Sequence, residues 1–160
     1  MSKYRIASIS LRLLVITINL CIFLLLSLSF YTFSMSFKTL FENIDQNVNI
    51  ISYFDNSTKE YVLKIDLNIV NSGLIDLTTK FNGYISTVDG SIVKSSSSSS
   101  IIKPRDSSKL SLIFRFTESE LLKYRFDLYP PYLNIELEFR TFSNLIGLKF
   151  HIGEIAIRSD

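Results

Sequence analysis

Apolar residues along this chain follow two different periods, and the change from one to the other divides it. From Leu13 to Met35 runs LLVITINLCIFLLLSLSFYTFSM, 23 residues without a charge. At 1.5 Å per residue this predicts a helix of roughly 34 Å, enough to cross the ~30 Å hydrocarbon core of a bilayer. Residues 36 to 46 keep a helical spacing through Phe37, Leu40, Phe41 and Ile44, which predicts a short stalk. Past Gln46 the period becomes two.

Residues 47–54 read as a first strand, ended by the turn-forming Asp55-Asn56-Ser57. Residues 61–70 alternate most clearly. Tyr61, Leu63, Ile65, Leu67 and Ile69 fall on one face, with Lys64, Asp66 and Asn68 on the other. Such alternation predicts an antiparallel strand with one buried and one wet face. Segments 74–80 and 81–88 read as two short strands, and Asp89-Gly90 as the hairpin turn before Ser91 to Lys94. The six serines Ser95 to Ser100 have no side chain to bury and predict a solvated loop or frayed edge. Ile101-Ile102-Lys103-Pro104 reads as a short edge segment, because proline cannot donate to a ladder.

Leu110 to Phe116 alternates again. Thr117-Glu118-Ser119-Glu120 is a capping box and predicts one short helix at about 118–126. Pro130-Pro131 stops it. Tyr132 to Arg140 predicts another strand, and 148–152 and 154–157 follow beyond Ser143 to Gly147. Seven or so strands, one small helix and no repeated unit predict a mainly β fold. We expect an immunoglobulin-like antiparallel β-sandwich of about seven strands, preceded by one transmembrane α-helix.

Charge sharpens the division. Residues 1 to 37 carry Lys3, Arg5 and Arg12 and no acid, or +3; the rest carries 14 basic and 15 acidic side chains, or −1, which sums to the whole-chain +2. The basic flank and the positive-inside rule predict a cytoplasmic N-terminus (1–12), a transmembrane helix (13–35), a stalk (36–46) and an extracytoplasmic sandwich (47–160). A cleavable signal peptide is the alternative, but its apolar region would be shorter, ~7–15 residues. The expected partners are the lipid bilayer, through residues 13–35, and a protein partner. A domain of net charge −1 has no electrostatic footprint for nucleic acid.

The order of these features resembles the late embryogenesis abundant type 2 (WHy-like) sandwich over roughly residues 47 to 158. The features are a strand ending in Asn71-Ser72-Gly73, a second strand and a Gly-containing turn at Asp89-Gly90. A Ser-rich edge, a strand running into the short helix (Leu110 to Phe126) and a final apolar hairpin with Ile146-Gly147-Leu148 follow. Asn71 matches the first residue of that family's Asn-Pro-Asn turn, while Ser72 and Gly73 stand where it has Pro and Asn. The resemblance implies a non-catalytic, stress-related or accessory domain, often tethered to a membrane.

Catalytic chemistry has little to draw on. Nucleophilic catalysis needs Ser or Cys with a histidine and an orienting acid. The single histidine, His151, points by alternation away from the apolar face of its strand. One His and the one cysteine, Cys21 inside the apolar run, cannot make a transition-metal site. Glu136 and Glu138 share an outward face with Arg140 and read as a solvated surface. No glycine-rich phosphate loop occurs, so no enzyme, cofactor or metal is expected. Two positions stand out for other reasons. Asn56-Ser57-Thr58 is an N-glycosylation sequon in a turn, and Asn19 is the strongly polar residue of the apolar run, able to bond a neighbouring helix. Expectation therefore rests on a membrane-anchored structural or interaction domain, with an archaeal pilin-like filament subunit and an accessory subunit of a larger membrane complex as alternatives.

Overall fold

The computed structural model describes residues 3–126 and 128–157, with side chains from Ser10 onward. The charges of Lys3 and Arg5 lie outside those described side chains. A long helix α1 (Lys3–Glu42) and one turn of helix α2 (Ile44–Asn47) lead into strands β1 (Val48–Asp55) and β2 (Glu60–Val70). Strands β3 (Leu77–Ser86), β4 (Ile92–Ile102) and β5 (Ser107–Thr117) follow. A short helix α3 (Glu118–Tyr124) then precedes β6 (Tyr132–Thr141) and β7 (Ile146–Ala156).

All pairings are antiparallel, in a three-stranded sheet ordered β1-β2-β5 and a four-stranded sheet ordered β4-β3-β6-β7. Hairpins join β1 to β2, β3 to β4 and β6 to β7. The other connections cross from sheet to sheet, the Greek-key habit of immunoglobulin-like sandwiches. Inward residues of both sheets make one core, with Ile65, Ile69, Leu77, Ile85, Leu112, Phe114 and Phe139 almost wholly buried.

Three expectations change. Residues 74–88 do not form two strands: β3 is a single strand through Gly83, whose missing side chain makes room for Leu112 Cδ1, only 2.6 Å from where a Cβ would stand. The serine run is not a loop. Ser95 to Ser100 pair residue by residue with Tyr84 to Thr79 inside β4, because backbone pairing needs no apolar side chain once a neighbouring strand supplies the partners. Ser96 Oγ also accepts from the Ile113 N–H at 2.9 Å, and Ser108 Oγ donates to Ser100 Oγ at 2.8 Å, which joins the edges of the two sheets. The last two expected strands are one, β7, with a register shift opposite Leu133 and Ile135.

The apolar helix and the sandwich are not separated by a free stalk. Ser29, Thr32, Phe33, Ser36 and Leu40 of α1 are buried, a stripe spaced three and four residues apart that lies along one helix face. Phe33 and Leu40 belong to the sandwich core, each contributing about 1.5–3 kcal/mol by burial. Phe37 meets Phe139 and Phe150 edge-on, with centroids 4.7 and 4.8 Å away. Asn47 Nδ2 donates to the carbonyls of Thr39 and Leu40 at the end of α1, satisfying acceptors that a helix terminus leaves open.

Candidate functional site

Two places combine unusual geometry with exposed or bound polar groups: the junction where α1 docks, and a cleft at the opposite end of the sandwich.

At the junction three loops gather, 71–76, 103–106 and 142–145, all at the end where α1 emerges. Small residues let the helix come close. A Cβ on Gly73 would lie 2.4 Å from Thr32 Cγ2, so only glycine fits there. Hydroxyls then tie helix to loops. Ser29 Oγ and Thr141 Oγ1 share a hydrogen bond of 2.7 Å, Thr39 and Ser72 one of 2.9 Å, and the Leu74 N–H reaches Thr32 Oγ1 at 3.4 Å. Asn71 anchors the loops to each other. Fully buried, it donates through Nδ2 to the carbonyls of Ile75 and Ile102, both at 2.8 Å, and accepts from the Gly73 N–H at 3.0 Å. Its main chain also bonds to Arg105 and Asp106. The residue read as a turn former is a clamp between two loops.

Above Ser29 the helix is bare. Leu11 to Leu26 and Phe30 present large exposed apolar side chains around the helix, and α1 is long and apolar enough to cross a membrane. Asn19 and Cys21 lie on this bare part, both exposed and without contact to the sandwich.

The opposite end holds a cleft of about 700 Å³ between the sheets, within the usual size range of ligand pockets. Phe54, Tyr61, Ile85 and Phe116 of the strands line it, together with Leu121 and Phe126 of the α3 region. Helix α3 is held there by the expected capping box. Thr117 Oγ1 accepts from the Glu120 N–H and Glu120 Oε2 from the Thr117 N–H, at 3.3 and 2.9 Å. Lys94 bonds Glu120 at 2.6 Å; that bond and the Thr117 N–H hold the Glu120 carboxyl below its ordinary value. Leu122 on the rim is 66% exposed, and Phe116 and Phe126 pack edge-to-face. Among the described residues the polar side-chain groups of the lining are hydroxyls of Ser52, Tyr53 and Tyr61, and the rest of the lining is apolar, which suits an apolar group. Sequence patterning missed it; the signal available was the run of apolar residues (Leu121, Leu122, Phe126) on a helix too short to bury them.

Elsewhere the charges are surface or structural. Asp66, expected on a wet face, is buried between Lys64 and Lys109 at 3.0 and 2.9 Å and accepts from Ser111 Oγ at 2.6 Å. Burial alone would raise its carboxyl, but the Ser111 hydrogen bond and the two ammonium groups outweigh it and hold the pKa at about 2. His151 is half exposed on the outer face of β7, 3.8 Å from Glu136, which pairs with Lys149; Glu138 pairs with Arg140. Asn56 is exposed in the β1–β2 turn, at the cleft end of the sandwich. There Asp55 accepts from the Ser57 side chain and backbone, which hold its carboxyl at about 2. Among the described residues no group of three or more His, Cys, Asp or Glu could hold a metal ion.

No protein-family model and no curated protein matches the chain. Solved structures give distant likenesses. A protein from Archaeoglobus fulgidus aligns at 11% identity and a TM-score of 0.47, over 71% of this chain and 98% of that one. A Bacteroides uniformis β-glucuronidase aligns at 11% and 0.42, over 68% of this chain and 13% of that one. A β-glucuronidase of glycoside hydrolase family 2 aligns at 15% and 0.43, over 70% and 12%. The chain thus spans about an eighth of those hydrolases, and at such scores the matches carry no functional weight.

Proposed function

We propose that this chain is a membrane-anchored, non-catalytic β-sandwich of the late embryogenesis abundant type 2 kind, with its N-terminus in the cytoplasm and its sandwich outside. Its role is structural or stress-related, exercised by presenting the distal cleft to a protein partner. The observation that carries this reading is the division of α1 into a bare apolar part and a part built into the sandwich core, which fits a bilayer above and a fixed domain below. The charge-free flank from Leu13 and the basic residues before it support the orientation. The buried Asn71 clamp supports the family resemblance, since it stands where that family's pattern has its turn asparagine. The largely apolar lining of the cleft, with hydroxyls as its polar side chains among the described residues, supports binding.

Asn56 provides the test. Translation into sealed endoplasmic-reticulum microsomes is expected to give an alkali-resistant, membrane-bound product whose mass rises by one glycan, and Asn56→Gln is expected to abolish the rise. An unglycosylated product with a protease-sensitive sandwich would reverse the orientation. Release by alkali would remove the anchor itself.

The unbroken passage of α1 from bare to docked part also suits a filament subunit of the archaeal pilin kind, whose bare helices would pack against one another. Intact mass separates the two. A full-length protein confined to membranes supports the anchor, whereas loss of about the first dozen residues supports the filament. An accessory subunit of a larger membrane complex would use Asn19, and Asn19→Leu would then shift its migration on a native gel.

A further inference from the structure

The free apolar part of α1 is short. The charge-free run begins at Leu13, and the sandwich takes hold at Ser29. About 16 residues lie between them, or about 24 Å of helix, some 6 Å less than a ~30 Å hydrocarbon core. Snorkelling by Arg12 recovers part of the difference at one side. At the other side nothing separates bilayer from protein: Thr141 at the end of β6 and Leu74, bonded to Ser29 and Thr32, stand at the boundary itself.

Those loops carry apolar tips. Leu145 is 74% exposed and its N–H bonds the carbonyl of Thr141, the residue whose hydroxyl meets Ser29. Leu74 is 57% exposed and its N–H reaches Thr32. Leu74 is thus bonded to the docked part of α1 directly, and Leu145 through Thr141. Lys103 and Arg105 are exposed on the third loop, balanced by the exposed acids Asp76 and Asp106. With charge balanced, apolar side chains are left to drive contact with lipid.

We infer that the end of the sandwich around the helix exit is a second membrane contact, with Leu145 and Leu74 inserted at the headgroup–acyl boundary of the bilayer that α1 crosses. The sandwich is seated on the membrane rather than held above it, and its cleft faces directly away. The contact requires no anionic lipid. It rests on reading α1 as a membrane span, and the experiment separates the two claims.

The chain has no tryptophan, so single substitutions serve as reporters in the full-length protein reconstituted into phosphatidylcholine vesicles with brominated acyl chains. Leu20→Trp reports the span, Leu145→Trp and Leu74→Trp report the loops, and Val88→Trp reports the β3–β4 turn at the far end. Quenching of L20W is expected to be strong. Quenching of L145W and L74W by bromines placed near the headgroup is expected to exceed that of V88W roughly threefold or more, as for apolar side chains seated at the interface. Strong quenching of L20W with both loop reporters no better than V88W would overturn the second contact and leave the span intact. Unquenched L20W would overturn both. With two loop reporters, failure of one variant to fold leaves the other to decide.

Discussion

Replacing Asn71 by alanine removes three side-chain hydrogen bonds, two of them buried and one partly buried. The two carbonyls, Ile75 and Ile102, lose their donor, and the Gly73 N–H loses its acceptor. Each net bond contributes about 1 kcal/mol, and a buried group left without a partner costs about 1–3 kcal/mol. The bonds to Ile102 and Gly73 are buried, while that to Ile75 is partly so and can be rehydrated. The sum is about 3–5 kcal/mol, a large share of the ~5–15 kcal/mol that holds a domain of this size. Urea unfolding of the full-length chain in detergent micelles, followed by circular dichroism, measures it directly. The midpoint should fall while the slope stays near that of the unmodified protein. Asn71→Asp should do no better, because it keeps the acceptor for Gly73 but turns a carboxylate toward two carbonyls. A loss below about 1 kcal/mol for Asn71→Ala would refute the clamp.

Three further outcomes follow from the same geometry. Gly73→Ala should destabilise by about 1–3 kcal/mol, because the new methyl meets Thr32. Adding Thr32→Ala should restore only part of this, since Thr32 Cβ itself would lie 2.6 Å away; the double mutant's unfolding midpoint decides. Ser36 Oγ is buried with no partner among the described residues, so Ser36→Ala should be neutral or stabilising by up to about 1 kcal/mol, and a clear loss of stability would show an unrecognised bond. Asp66 titrates at about 2 in the folded chain against about 3.9 unfolded. A lowered pKa means that its contribution is complete above pH ~4 and is lost as the pH falls toward 2. Asp66→Asn should therefore flatten the acid limb of the stability profile in that window, and an unchanged limb would show that other carboxylates govern it.

Much of the sandwich was legible from alternation alone. Strands β2, β5 and β6 each put four or five large apolar residues on one face, and the Thr117 capping box located α3. The serine strand was not legible because its conformation comes from pairing with β3 and from hydroxyls bridging to β5, and neither is a local property. Segments 74–80 and 81–88 read as two strands for a related reason: their continuity comes from pairing with β4 and β6 on either side, and Gly83 accommodates Leu112 of the other sheet. Ser29 and Thr32 fall within the expected transmembrane helix and Ser36 opens the expected stalk. Their spacing of three and four was visible in the chain, but whether a small-residue stripe meets lipid, another helix or a sheet depends on what folds beneath it. The cleft escaped notice because it is made by the ends of strands distant in sequence.

The docked part of α1 also bears on how the protein is broken down. Phe33 and Leu40 belong to both the helix and the core, so a protease cutting between residues 29 and 47 does not release a finished domain. It takes away one wall of the core, uncovers the otherwise buried Phe139, and hands the remainder to degradation. Cleavage and unfolding are then a single event, and an intact sandwich would have to keep residues 29–47 with it.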